Sequence, residues 1–149
     1  MLSVSRAERI VHSGHGMNLQ AEELRQRVKH FAVRIIRFVR TLPRDPAGDA
    51  MGRQLVRSGT GVSSNYRAAC RARSRAEFVA KLGIVVEEAD EAEHWLDVIY
   101  ESRLSAGPEL EWLRSESREL RAIFVASLST ARKNHSKSSN PQILKSSNP

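Results

Sequence analysis

The sequence predicts an all-α protein, an antiparallel up-down-up-down four-helix bundle. The apolar residues are mainly Leu, Val, Ile and Ala, and only 5% of the chain is aromatic, which favours helices over strands. Apolar residues recur at steps of three and four over four stretches. The links between these stretches are short, which makes successive helices antiparallel neighbours. The 149-residue chain has the length of one domain, and we expect the bundle to span 19–133.

The first helix is predicted over about 19–42. We expect it to end just before Pro43, because proline disfavours helical geometry in the residue that precedes it. Residues 43–48 are then predicted to form a turn. The apolar residues of this helix follow alternating steps of four and three, the pattern of a helix packed in a bundle: Leu24, Val28, Phe31, Ile35, Phe38 and Leu42.

The second helix, about 49–72, has a weaker apolar pattern and is rich in small residues between Ser58 and Ser64. Small side chains let a neighbouring helix approach closely, although each glycine costs about 1 kcal/mol of helix propensity. We therefore expect tight packing here. The inward positions are Met51, Leu55, Val62, Ala69 and Ala72.

The third helix shows the clearest pattern. Ser74 followed by Glu77 is a capping box, and the helix is expected to run to about Ser105. Pro108 after Gly107 is typical of a first helical turn and opens the fourth helix. The inward positions are Phe78, Leu82, Val85, Ala89, Ala92, Leu96 and Ile99 in the third helix, and Leu113, Leu120, Phe124 and Ala131 in the fourth.

The two ends of the chain differ from the bundle. Residues 1–18 are predicted to form a flexible lead, and 134–149 a disordered tail in which Lys-Ser-Ser-Asn-Pro occurs twice. No apolar run reaches the ~18 residues of a membrane span, and none resembles the apolar core of a signal peptide. A single cysteine, Cys70, rules out an intramolecular disulfide. We expect a cytoplasmic protein that does not associate with membranes.

Charge is strongly segregated along the chain. The net charge is +7, but residues 25–81 hold fourteen Lys or Arg against three acids, whereas 82–101 hold seven acids and no Lys or Arg. Such a concentration of Lys and Arg in one part of the chain favours binding to the phosphates of RNA or DNA. The alternative is an adaptor for another protein, in which these arginines pair with the acidic half of the third helix, in the same subunit or the next. The candidate binding residues are Arg34, Arg37, Arg53, Arg57, Arg67, Arg71 and Arg73.

Apolar residues outside the inward positions predict self-association, because an isolated bundle rarely covers so much apolar surface. They form a second stripe on the first helix, next to its inward face, and a scattered set on the third. The candidate interface residues are Ile36, Val39, Val79, Val86, Trp95 and Tyr100.

No pattern in the sequence supports catalysis. Glu91-x-x-His94 supplies half of the ligand set of a di-iron bundle, and no second such motif is present. The run from Ser58 to Gly61 lacks the spacing and the lysine of a phosphate-binding loop. Cys70 has arginines nearby in sequence but no adjacent general base. We expect a protein that is not an enzyme and has no cofactor or metal.

One combined pattern lies in segment 54–101. The run QLVRSGTGVSSNYR occupies 54–67, and it is followed by AACRARS at 68–74, Glu77-Phe78, Lys81-Leu82, EEA at 87–89 and His94-Trp95-Leu96. This pattern resembles the 23S rRNA intervening-sequence protein family of small bacterial four-helix bundles. The resemblance implies a homo-oligomer, typically a ring-like pentamer, without known catalytic activity. The family is similar in fold to the accessory variability determinants of diversity-generating retroelements, whose basic pentamers bind nucleic acid and a reverse transcriptase.

Overall fold

A computed structural model describes residues 19–139, which form four α-helices and contain no strand. Each helix packs against the next, and the first also contacts the fourth. The predicted all-α four-helix bundle is confirmed. The segments 1–18 and 140–149, which include the predicted lead and most of the predicted tail, lie outside the described residues. The helices are α1 (Leu19–Val39), α2 (Pro46–Ala69), α3 (Arg75–Glu101) and α4 (Pro108–Ser138).

The link between α1 and α2 falls about three residues earlier than predicted. The amide of Thr41 donates to the carbonyl of Phe38 at 2.8 Å and ends the helix, although Leu42 is still buried. The predicted turn at 43–48 contains the start of α2. Asp45 is the N-cap, its carboxylate accepts from the amide of Gly48 at 2.8 Å, and Pro46 begins the helix. This helix ends at Ala69, not at residue 72.

The capping box of α3 is present. The Ser74 hydroxyl accepts from the Glu77 amide at 3.1 Å, and the Glu77 carboxylate accepts from the amide of Arg73, one residue before the position expected for such a box. The helix ends at Glu101, four residues before the predicted boundary. Arg103 adopts a left-handed conformation with φ 59°, and the amide of Leu104 donates to the carbonyl of Ile99 at 3.1 Å. This is a Schellman ending with arginine in the position that glycine usually takes.

The last helix begins at Pro108 as predicted, after Gly107 with φ 113°. It continues through Ser138, past the predicted domain boundary at residue 133. The first residues of the predicted disordered tail, from Asn134, are therefore helical.

Side chains from all four helices form one core. The inward residues predicted for α1 are all buried, as are those of α4 and those of α3 except the half-buried Phe78. In α2 the predicted pattern holds at Leu55, Val62 and Ala69, while Met51 and Ala72 are half-buried. The amphipathic spacing thus located the core.

Glycines in α2 bring α1 close, as the small residues predicted. A methyl group on Gly59 would overlap Cδ1 of Ile35 and lie 3.3 Å from its Cγ2. A methyl on Gly52 would lie 2.8 Å from Cγ1 of Val39. Gly61 faces α3 instead, where its added methyl would lie 2.7 Å from the carboxyl carbon of Glu88.

Candidate nucleic-acid interface

The acidic half of α3 pairs mainly with arginines of α4. The Asp97 carboxylate accepts from Arg114 at 2.8 Å and from Arg118 at 3.0 Å. One turn away, Arg121 donates to Glu93 and lies 3.8 Å from Asp90. The acids at 90, 93 and 97, three of the seven in the acidic half of α3, thus face arginines at 114, 118 and 121.

Ion pairs also join α1 to α4. Arg27 donates to Glu116 at 2.6 and 2.9 Å, and Arg34 donates to Glu109 at 2.9 and 2.6 Å. The Arg34 guanidinium also lies 3.5 Å from the centre of the Trp112 ring, a cation–π contact. The hydrogen bond to Arg34 lowers the pKa of Glu109. Arg34, predicted to bind nucleic acid, is therefore engaged in holding two helices together.

Arg37 lies on the same side of α1 as Arg34. Together with His30 and Thr41, it lines a cleft whose other side is the start of α4, including Glu109. The two α1 residues of the predicted binding set are thus directed toward α4. They do not join the predicted arginines of α2 in one surface.

The predicted arginines of α2 form a row on its outer face. Arg53, Arg57 and Arg67 recur at helical spacing with Thr60 and Ser64 between them, opposite the buried residues of the helix, and Arg71 follows two residues after the helix ends. All four arginines are exposed, and Arg73 follows in the turn to α3. At 1.5 Å per residue the helical part of the row, from Arg53 to Arg67, is about 21 Å long. We call these five residues, Arg53, Arg57, Arg67, Arg71 and Arg73, the α2 ridge.

The ridge is mostly without acidic partners. Arg57 donates to Glu91 at 2.7 Å, and this hydrogen bond raises the pKa of Arg57 and lowers that of Glu91. Within residues 19–139, no carboxylate forms an ion pair with Arg53, Arg67 or Arg71, or with the side chain of Arg73. The predicted alternative, pairing with the acidic half of α3 in the same subunit, therefore holds at Arg57 alone.

Sequence reasoning missed the arginines of α4. Their spacing of four and three matches the spacing of the acids at 90, 93 and 97, so a comparison of the two helical faces would have indicated the pairing. The count of charges along the chain does not reveal this pairing, because it carries no information on which helical faces meet.

The predicted oligomer interface is partly covered by the bundle itself. The side chains of Val39, Val79, Val86 and Trp95 are half-buried and pack against the core. Ile36 and Tyr100 are each 44% exposed. The Arg114 guanidinium lies 3.8 Å from the centre of the Tyr100 ring. A further exposed apolar residue, Val33, lies on the outer face of α1 three residues before Ile36 and is not among the predicted interface residues.

The residues weighed for catalysis have structural contacts. The Glu91 carboxylate accepts from both Arg57 and the Trp95 indole, at 2.7 and 3.2 Å, while His94 is exposed. No group of three or more His, Cys, Asp or Glu able to hold a metal occurs among residues 19–139. Ser58 is buried in α2, where its hydroxyl donates to the carbonyl of Gln54, so segment 58–61 is helical and not a loop.

The thiol of Cys70 is not activated. Desolvation is the largest influence on it and raises its pKa, although part of the residue is exposed. A raised pKa lowers the thiolate fraction at neutral pH, the opposite of what nucleophilic catalysis requires.

None of the four helices in the described part of the chain is both long and apolar enough to cross a membrane.

Comparisons with known proteins agree with this architecture. The family model of the 23S rRNA-intervening sequence protein matches residues 21–126. No curated protein matches the chain. One solved structure that matches is a protein of unknown function from the S23 ribosomal protein family of Bacteroides thetaiotaomicron, 29% identical, with a TM-score of 0.67. The match covers 73% of this chain and 97% of that one. Neither description names an enzymatic activity. Because the family model spans most of the chain and the solved relative has the same fold, this protein belongs to the 23S rRNA-intervening sequence protein family.

Proposed function

We propose that this protein is a non-enzymatic homo-oligomer, a ring-like pentamer of the cytoplasm, that binds RNA or DNA through the α2 ridge. One observation carries the proposal. Of the four acids in the acidic half of α3 that form ion pairs, three pair with α4, and four of the five ridge arginines form no ion pair among the described residues. A guanidinium without an ion pair can donate hydrogen bonds to a phosphate without first losing an intramolecular partner.

The shape of the ridge suits a polyanion. Its three helical arginines span about 21 Å of α2, with Arg71 and Arg73 beyond the helix end, and duplex DNA carries a charge every ~1.7 Å along its axis, so several phosphates lie within reach. The ridge contains no exposed aromatic side chain for stacking on bases, since Tyr66 is buried at 3% exposure. Contacts of this kind position the backbone and do not select a sequence.

Binding should be tested by fluorescence anisotropy with a labelled RNA hairpin and a labelled DNA duplex. The double variant Arg67→Glu/Arg71→Glu should weaken affinity by at least about tenfold, because it converts two attractive contacts into repulsive ones. Arg132→Glu/Lys133→Glu is the matched control. It changes the net charge equally at exposed α4 positions outside the ridge, and its effect should be much smaller.

Two results would refute the proposal. One is the absence of binding at low salt. The other is an equal loss of affinity in the ridge variant and the control, which would mean that net charge and not the ridge attracts the ligand. In either case the adaptor function becomes the better explanation.

Self-association rests on the exposed apolar residues. Val33 and Ile36 are three residues apart on the outer face of α1, at 38% and 44% exposure, which favours contact with another protein surface. Ile36→Glu should reduce the oligomer mass measured by light scattering, whereas the ridge variant should keep it. A smaller oligomer in the ridge variant would indicate instead that the arginines pair between subunits, as the adaptor alternative requires.

A further inference from the structure

We infer that the cleft between the end of α1 and the first turns of α2 binds one nucleotide unit, with its phosphate on arginines and its base or sugar against apolar residues. This inference rests on the proposed function and assigns it a second, differently built contact. The cleft is lined by Val39, Arg40, Leu42, Pro43, Arg44, Gly48, Asp49, Gly52, Arg53, Val56 and Arg57.

The rim of the cleft is cationic. Arg40, Arg44 and Arg53 are exposed and form no ion pair with any residue in the range 19–139. Arg57 also reaches the rim but is held by Glu91. Asp49 is the one acid among the lining residues, so the rim keeps a surplus of positive charge. Arg40 directly after α1, Arg44 in the link and Arg53 on α2 line the same cleft, so one phosphate there can accept hydrogen bonds from more than one element.

The floor of the cleft is apolar. Leu42 is buried, and Val39 and Val56 are half-buried beside it. Apolar lining with a few placed polar groups is the usual composition of a small-molecule site. Inorganic phosphate has no group that packs against an apolar floor, whereas the sugar and the base of a nucleotide can cover it.

The floor is also rigid. Gly48 packs so closely on Pro43 that an added methyl would collide with the carbonyl oxygen and lie 2.9 Å from the carbonyl carbon. Gly52 lets α2 approach Val39, and the Asp45 carboxylate holds the amide of Gly48 at 2.8 Å. The backbone that forms the floor of the cleft is therefore in place before a ligand binds.

The direct test is NMR titration of the full chain with adenosine 5′-monophosphate, adenosine and inorganic phosphate, following the methyl signals of Val39, Leu42 and Val56. Adenosine 5′-monophosphate should shift these methyl signals and bind more tightly than either of the other two probes. Arg44→Glu should weaken its binding about tenfold, since a hydrogen bond to a charged group contributes at least that factor. Arg44 lies outside the α2 ridge.

Two further variants make the test specific. Arg37→Glu is the matched control, because this exposed arginine lines the other cleft near α4, and nucleotide affinity should change less than twofold. Val56→Trp fills the floor without changing charge and should abolish methyl shifts on nucleotide addition. Arg44→Glu is a surface change and keeps the test valid if the tryptophan variant does not fold.

The outcomes separate this inference from the proposed function. If the RNA hairpin binds but no methyl signal moves at millimolar nucleotide, or if Arg37→Glu and Arg44→Glu weaken nucleotide binding equally, the nucleotide cleft is wrong and the ridge stands. If the nucleotide binds and the hairpin does not, the cleft is supported and the ridge proposal is wrong.

Discussion

The close approach of α1 to α2 can be tested by adding one methyl group. Gly59→Ala places a carbon atom in the space of Cδ1 of Ile35, a fully buried side chain. Overpacking of this kind costs about 1–3 kcal/mol, while the exchange of glycine for alanine in a helix returns about 1 kcal/mol. The net expectation is a loss of up to about 2 kcal/mol in the free energy of unfolding.

A second change identifies the cause. Ile35→Val removes Cδ1 and alone costs about 0.5–1.5 kcal/mol. In the double variant the new methyl occupies the vacated space, so its stability should exceed the sum of the single effects by about 1–3 kcal/mol, the whole overlap. Gly83→Ala is the matched control, because no atom lies within 4 Å of its added methyl, and it should stabilise by up to about 1 kcal/mol.

Circular dichroism during urea unfolding measures these differences, with all variants at one protomer concentration because oligomer stability depends on it. Strict additivity of the two changes would refute the reasoning, since it would mean that the overlap does not exist. Stabilisation by Gly59→Ala alone, equal to that of Gly83→Ala, would refute it as well.

Three further perturbations follow from charges and caps. Glu88→Gln should stabilise the fold at neutral pH, because burial raises the pKa of Glu88 and its Oε2 accepts no hydrogen bond from residues 19–139. Thermal melts should show a higher melting temperature for the variant above the ordinary glutamate pKa. This difference should disappear in acid, where the wild-type carboxyl is protonated. Asp45→Ala should cost about 1 kcal/mol in urea unfolding and Asp45→Asn much less, since the amide oxygen can still cap α2; equal losses would contradict the cap. Glu93→Gln/Asp97→Asn should lower stability by about 1 kcal/mol and lose this effect at high salt, whereas Arg67→Gln should leave stability unchanged because it breaks no ion pair.

The sequence predicted the fold well because periodicity reports directly on burial. In α3 the positions from Leu82 to Ile99 kept their spacing without a gap, and all six are buried. Helix ends were predicted less well, since a buried residue need not be helical. Leu42 continues the spacing of α1 and enters the core, yet the backbone has already turned at Thr41. Pro46 is typical of a helix start, yet the turn predicted at 43–48 contains it.

The candidate site was harder to predict, because it depends on which faces meet. Arg34 and Arg67 have the same charge, and both lie on predicted helices. One lies on Trp112 and Glu109, and the other has no acidic neighbour in the described part of the chain. Arg34 lies on the side of α1 that contacts α4, whereas Arg67 lies on the exposed face of α2, and a count of charges along the chain does not distinguish these faces. A comparison of charge spacing between helices recovers part of it, as the matched acids of α3 and arginines of α4 illustrate.

The pairing pattern also determines how steeply binding should depend on salt. Four ridge residues, Arg53, Arg67, Arg71 and Arg73, are unpaired among the described residues, and each phosphate contact to duplex DNA contributes about −0.9 to the slope of log affinity against log salt. One subunit should therefore give a slope of about −3.6, and a ligand that spans two subunits about −7. Arg57→Gln should change the slope by much less than one contact, because this guanidinium is already held by Glu91. A slope close to −1 would mean that the ridge does not act as a unit, and a value near −7 would indicate that two subunits of the oligomer bind one ligand.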